Sequence, residues 1–350
     1  MAAKKLSGNL PGAGHRAVVK GMVLAAGCGS RLHPLTALRA KPAVPFLNRP
    51  LLQHSLELLA RAGVREAAVN LHHLPDSVRM AAEGSPFPVR FFEEPQLLGT
   101  GGGIWNARHL FKDAGFIVAN GKIYFEQDLR AVLEAHRTRG ALATLVVVPP
   151  RPQDPFYPVL ADSSGRIRAF ARTRSVPAQP VLTPYVFTGI QVLEPDVLKH
   201  FPAGPSDIVS DVYEKLAADG APLDVYVSEA FWCECSTPRR YLENSIEALR
   251  RKGLKNLTAE GAEGVLVESV CGRGTRVPAE SLMERCVVWE NVRIPASTTF
   301  RNAIITADPS GLTPGAELRN CVVTPRTDTL SEAARAGGAA IERECIVWPL

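Results

Sequence analysis

The chain has 350 residues, of which 46% are hydrophobic and 21% charged, with a formal net charge of +5. The length suits one large domain or two unequal ones, and the composition supplies a globular core throughout. The charge excess is too small and too evenly spread for a nucleic-acid binder, and no run of about 18 apolar residues offers a membrane span. A mild positive balance suits a site that receives phosphates. Residues 1–17 are polar and rich in Gly and Pro, with no apolar run behind Lys4 and Lys5. They read as a disordered leader rather than a signal peptide. Cysteine occurs seven times, an odd number, with no CxxC pair, so neither a disulfide framework nor a cysteine metal site is expected. A reducing, cytoplasmic setting follows.

The apolar run from Val18 to Leu24 predicts a buried strand that enters a glycine loop. Leu51, Leu52, Leu56 and Leu59 share a face of a helix spanning 50–62, which Gly63 ends. Strands are predicted at 66–71, 89–92, 116–119 and 143–148, with helices at 103–110 and 129–139. This βαβα alternation predicts a doubly wound, mostly parallel, Rossmann-like α/β domain over 18–253. Short strands near 157–160, 167–171 and 186–192 and a helix at 208–219 extend that sheet over its site. A charged helix follows at 238–252, then a polar linker at 254–263.

A repeat decides the reading of 264–350. ERCVVW at 284–289, RNAIIT at 301–306, RNCVVT at 319–324 and RECIVW at 343–348 align, with Cys286, Ala303 and Cys321 spaced by 17 and 18 residues. A period near 18 equals three hexads, one coil of a hexapeptide-type, left-handed parallel β-helix. Each coil is expected to send its small residue and both β-branched residues into a shared core. An ordinary antiparallel sheet is the competing reading.

The strongest local signal is LAAGCGSRLHPLT at 24–36, followed by Lys41 and Pro42. Gly27 and Gly29 lack Cβ, so backbone N–H groups can approach an anion. Arg31 and Lys41 add positive charge beside it. The loop is neither a Walker A motif nor a dinucleotide fingerprint, because the closing residues of both are missing. LGTGGG at 98–103 is a second glycine loop opening a helix, where backbone N–H groups can meet a ligand.

These motifs resemble the sugar-1-phosphate nucleotidyltransferases, above all the bacterial mannose-1-phosphate guanylyltransferase and N-acetylmuramate-1-phosphate uridylyltransferase branch. The resemblance runs in order through Val44–Leu51, Asn70, Glu94, Leu98–Gly103, Asn120-Gly121, Phe187–Ile190, Trp232 and Thr237-Pro238. It implies that a nucleoside triphosphate and a sugar 1-phosphate give a nucleotide-sugar and pyrophosphate by in-line attack on the α-phosphate. It places nucleotide contacts at Leu24, Ala25, Ala26, Gly27, Gly29 and Ser30, and at Gly99, Thr100, Gly101 and Asn120. Arg31 and Lys41 take the catalytic positions, and Gly189, Arg172 and Lys122 the sugar-phosphate side. Mg²⁺ is the implied cofactor, with Glu234 as its ligand, and the C-terminal coils imply a homo-oligomer.

Two positions depart from the family pattern. An Asn-Gly-Asp segment supplies a metal-binding carboxylate in the family, whereas this chain carries Lys122 after Asn120 and Gly121. A charged lysine has no oxygen with which to ligate Mg²⁺. The family's second Asp is Glu234 here, which keeps the chemistry with one more methylene. Three readings of Lys122 follow. Its ammonium supplies part of a metal's charge, or the chain is a non-catalytic binder of nucleotide or nucleotide-sugar, or the side chain is solvated and uninvolved.

Overall fold

The computed structural model describes residues 20–151, 155–173, 182–258, 262–309, 311–341 and 345–350. The expected leader lies outside these residues, as do 259–261 of the linker. Strands Lys20–Leu24, Ala67–Leu71, Val89–Glu93 and Phe116–Asn120 run parallel. Their spatial order is Val89–Glu93, Ala67–Leu71, Lys20–Leu24, Phe116–Asn120. The chain therefore winds outward in one direction and then crosses back to the other side of its first strand. Such a reversal opens a crevice at the carboxyl ends of the two central strands, where ligands of open α/β sheets sit. Leu24 and Asn120 are register partners at that point.

Beyond Phe116–Asn120 the sheet turns mixed. Thr183–Leu193 pairs antiparallel with Phe116–Asn120 and with Ala143–Val148, and Leu223–Val227 pairs parallel with the latter. The short strands Val159–Ala161 and Ile167–Phe170 extend the edge. Ala67–Leu71 and Ala143–Val148 are buried throughout, as central strands of a two-sided sheet must be. The second glycine helix spans Gly99–Asn106, one turn earlier than its apolar pattern predicts.

The C-terminal region is a second sheet region. Val265–Val267, Leu282–Glu284, Thr299–Ile305 and Glu317–Pro325 pair in parallel at offsets of 17, 17 and 18 residues. Glu268, Arg285, Asn302 and Asn320 recur at the same offsets with positive φ, marking one repeated corner. The fourth sequence copy does not continue the series. After the helix Asp328–Gly337, Cys345–Pro349 returns antiparallel to Glu317–Pro325.

The expectation that both β-branched residues of each repeat face inward is corrected. Cys286 and Val288, Ala303 and Ile305, Cys321 and Val323 form the inner core. Val287, Ile304 and Val322 point the other way, because successive strand residues alternate sides. They share one hydrophobic core with Tyr241, Leu242, Ile246 and Leu249 of the helix Pro238–Arg251 and with Leu32, Phe46 and Leu51 of the first domain. Trp289 donates from Nε1 to the Tyr241 hydroxyl at 3.3 Å, and Asn48 donates to the Cys271 carbonyl at 2.7 Å. The linker thus joins two regions that are packed together.

Candidate active site

A cleft of about 240 Å³ opens at the strand reversal. Leu24, Ala25, Ala26, Gly27 and Gly29 line one wall, as the first loop requires. Gly29 holds φ at 66°, and a Cβ there would stand 2.8 Å from Thr36 Cγ2, so no larger residue fits. Ser30 and Arg31 follow in a short turn; both are exposed and neither lines the cleft. Arg31 has no carboxylate partner among the described residues, which leaves its charge available to a ligand.

Lys41, Gly99, Thr100, Asn120 and Lys122 complete the expected part of the lining. Lys41 is buried to 8% exposure. Burial, then the neighbouring Lys122 charge, brings its ammonium down to a pKa of about 8. Gly189 does not line the cleft but lies behind it, with φ at 86°. A Cβ there would come within 2.3 Å of Asn120 Nδ2. The Trp232 indole donates to the Thr188 carbonyl at 2.9 Å and fixes this crossing of the two strands.

Asn70 lines the same cleft, although the resemblance that runs through it assigns it no site role. Its Oδ1 accepts from the Ala25 N–H at 2.6 Å, and its Nδ2 donates to Glu94 Oε1 at 2.7 Å. Glu94 Oε2 accepts from the Leu98 N–H at 3.0 Å. One buried polar chain therefore ties the first glycine loop to the second. The available signal was a lone amide in an otherwise apolar strand, Ala67–Leu71.

Gly101 takes a different role from the one expected. Its N–H and that of Gly102 donate to the Ser206 carbonyl at 2.9 and 3.3 Å, so they are not free for a ligand. A Cβ on Gly101 would lie 2.7 Å from Ser206 Oγ. These glycines let the helix approach the segment around residue 206. Arg172 is also displaced from its expected place. It is ion-paired with Glu214 in a second cleft of about 520 Å³, lined also by Phe170, Phe187 and Asp207. Thr100 Oγ1 donates to Asp207 Oδ2 at 3.0 Å, so the two clefts adjoin.

Glu234, the expected metal ligand, lies behind Lys122 rather than in the cleft. Trp232–Glu234 pairs antiparallel with Ile123–Phe125, which sets Glu234 opposite Ile123. Its Oε1 meets the Lys122 ammonium at 2.6 Å, with side-chain exposures of 2% for Glu234 and 35% for Lys122. That contact is an ion pair, and neither carboxylate oxygen has a hydrogen-bond partner among the described residues. Burial pushes the carboxyl up, but Lys122, then Lys41 and Arg240, hold it below its ordinary value. Asp128 caps the helix Leu129–Arg139, and Glu126 accepts from the Tyr124 hydroxyl, so neither replaces the missing carboxylate. No carboxylate lines the cleft among the described residues. No group of three or more His, Cys, Asp or Glu side chains is placed to hold a metal among the described residues. A divalent ion held by the protein does not fit this donor set.

A family model described as nucleotidyl transferase matches residues 20–251. The UTP–glucose-1-phosphate uridylyltransferase of Synechocystis is 29% identical over 293 residues, covering 79% of this chain and 72% of that protein. The mannose-1-phosphate guanylyltransferase of Mycobacterium tuberculosis is 29% identical over 299 residues, covering 79% of this chain and 82% of that protein. Among solved structures, HddC from Yersinia pseudotuberculosis superposes with a TM-score of 0.56 at 21% identity, over 66% of this chain and all of that one. The last is a likeness of fold.

Proposed function

The chain belongs to the nucleotidyl transferase family, and on that premise we propose that it joins a sugar 1-phosphate to a nucleoside triphosphate. The products are a nucleoside diphosphate sugar and pyrophosphate. The observation that carries this reading is the cleft at the strand reversal, lined by glycine-loop backbone and by Lys41 and Lys122. Such a lining suits a polyanion. The relatives named for uridylyl and guanylyl transfer support catalysis over a non-catalytic binder.

In this reading the triphosphate lies on Leu24–Gly29, with its base side toward Gly99 and Thr100. The sugar phosphate enters from the second cleft, past Thr100 and Asn120, with Gly189 packed behind Asn120. An oxygen of the sugar phosphate attacks the α-phosphorus. A new P–O bond forms, the bond to the α,β-bridging oxygen breaks, and its electron pair leaves with pyrophosphate. Lys41 and Arg31 oppose the charge that grows on the phosphates, and the loops supply alignment. No covalent intermediate on the protein is needed.

The C-terminal repeats form, in the same proposal, a hexapeptide-type left-handed parallel β-helix that carries homo-oligomer contacts. Parallel pairing at 17 to 18 residues supports it. No disulfide joins cysteines among the described residues, which accords with a cytoplasmic location. A screen of five nucleoside triphosphates against mannose and glucose 1-phosphates, read by pyrophosphate release, tests the activity. Release that requires both substrates is expected, and release from the triphosphate alone would contradict it.

A further inference from the structure

We propose that Lys122 is a built-in cation of the phosphate site, its ammonium binding phosphate oxygens of the nucleotide so that this chain holds a nucleoside triphosphate with no divalent ion on the protein. The inference rests on the function proposed above and names how that site handles charge.

Both ends of the Lys122–Glu234 pair are fixed by backbone. The Gly121 N–H donates to the Leu24 carbonyl at 2.9 Å, which ties the start of this segment to the first glycine loop. The Cys235 N–H donates to the Lys122 carbonyl at 3.1 Å, which ties it to the Glu234 strand. The lysine is the member that lines the cleft, and the carboxylate stays behind it. An ammonium carries three N–H donors, so even if the ion pair with Glu234 engages one, two remain for phosphate oxygens. Glu234 therefore aims the ammonium rather than a metal.

Charge leads to the same place. Glu234 offsets one charge shared between Lys122 and Lys41, so the two lysines of the lining and the exposed Arg31 beside it leave the site net positive for the triphosphate. A divalent ion bound at Glu234 would have to displace the ammonium at 2.6 Å or sit beside it against like-charge repulsion. The free Glu234 Oε2 offers it no route into the cleft, because that atom is buried and Glu234 is not part of the lining.

Calorimetric binding of GTP, UTP, dTTP, ATP and CTP in turn, in EDTA and in millimolar MgCl₂, tests the proposal on the full chain. The wild type is expected to bind its preferred triphosphate with affinities that differ less than about threefold between the two buffers. The double variant Lys122→Gln, Glu234→Gln, which leaves no buried unpaired charge, is expected to lose about tenfold or more in EDTA. Lys122→Arg is expected to retain EDTA-resistant binding. Wild-type binding that collapses in EDTA overturns the role of Lys122, and so does a folded double variant that binds as wild type does. The wild-type comparison needs no variant, so misfolding of the double variant leaves the test intact. Failure of every triphosphate in both buffers overturns the proposed function itself.

Discussion

Asn70 and Glu94 are hydrogen-bonded across the carboxyl ends of neighbouring parallel strands, with 2.7 Å from the amide Nδ2 to the carboxylate Oε1. Through Ala25 on one side and Leu98 on the other, this pair sets the two glycine loops at a fixed separation. Asn70→Ala strips a partner from a buried N–H and from a buried carboxylate, each at a cost of about 1–3 kcal/mol. The expected outcome is a lower melting temperature and a rise of about tenfold in the KM for the triphosphate. Steady-state kinetics and thermal unfolding check it, and an unchanged KM would show that the loops hold their places without the amide.

Arg31→Ala is expected to lower kcat about 100-fold, since one preorganised charge donor at the transition state contributes about 3 kcal/mol. The side chain is exposed, so unfolding should not shift. Equal turnover in the variant would remove Arg31 from the reaction.

Lys41 gives the site a pH dependence. Burial brings its ammonium down to about 8 from an ordinary value of 10.5, so the free protein loses this charge as pH rises through 8. Triphosphate affinity measured without metal should therefore fall between pH 7 and 9, and Lys41→Gln should flatten that fall. Stability of the free protein moves the other way. Between about 8 and 10.5 the unfolded chain still binds the proton that the folded chain has released, so stability rises with pH there. Denaturant titrations across that window give the sign.

The packing of Trp289 makes the repeats part of the first domain's stability. Its ring is 3% exposed within the core shared with the helix Pro238–Arg251, and the Arg39 guanidinium lies 4.8 Å from its centroid. Trp289→Ala is expected to cost about 3–5 kcal/mol, in one transition for the whole chain. Removing everything after Gly253 would bare the apolar face of that helix, and the fragment should aggregate. A soluble fragment with the wild-type melting temperature would show the two regions to be independent.

The glycine loop, Lys41, Thr100 and Asn120 were legible because local motifs bring their own backbone geometry. The parallel pairing of the first strands was legible from the βα alternation, but their spatial order was not. Contacts made by distant segments were not. Nothing near Gly101 in the chain announces that Ser206 will take its N–H, and nothing near Arg172 announces Glu214. The repeat spelled out its parallel strands, but not that Val287, Ile304 and Val322 face another helix, since alternation alone does not say what covers an outer face. Lys122 and Glu234 were visible as departures from a pattern. Their 2.6 Å pairing comes from the antiparallel register between Ile123–Phe125 and Trp232–Glu234.

The most direct test of the central claim follows the label of a nucleoside triphosphate carrying ³²P at the α or at the γ position, incubated with a sugar 1-phosphate. Attack at the α-phosphorus sends α-label into the nucleoside diphosphate sugar and γ-label into pyrophosphate, in equal amounts. Appearance of γ-label as inorganic phosphate or on the sugar, with α-label left in a nucleoside diphosphate, would contradict the account.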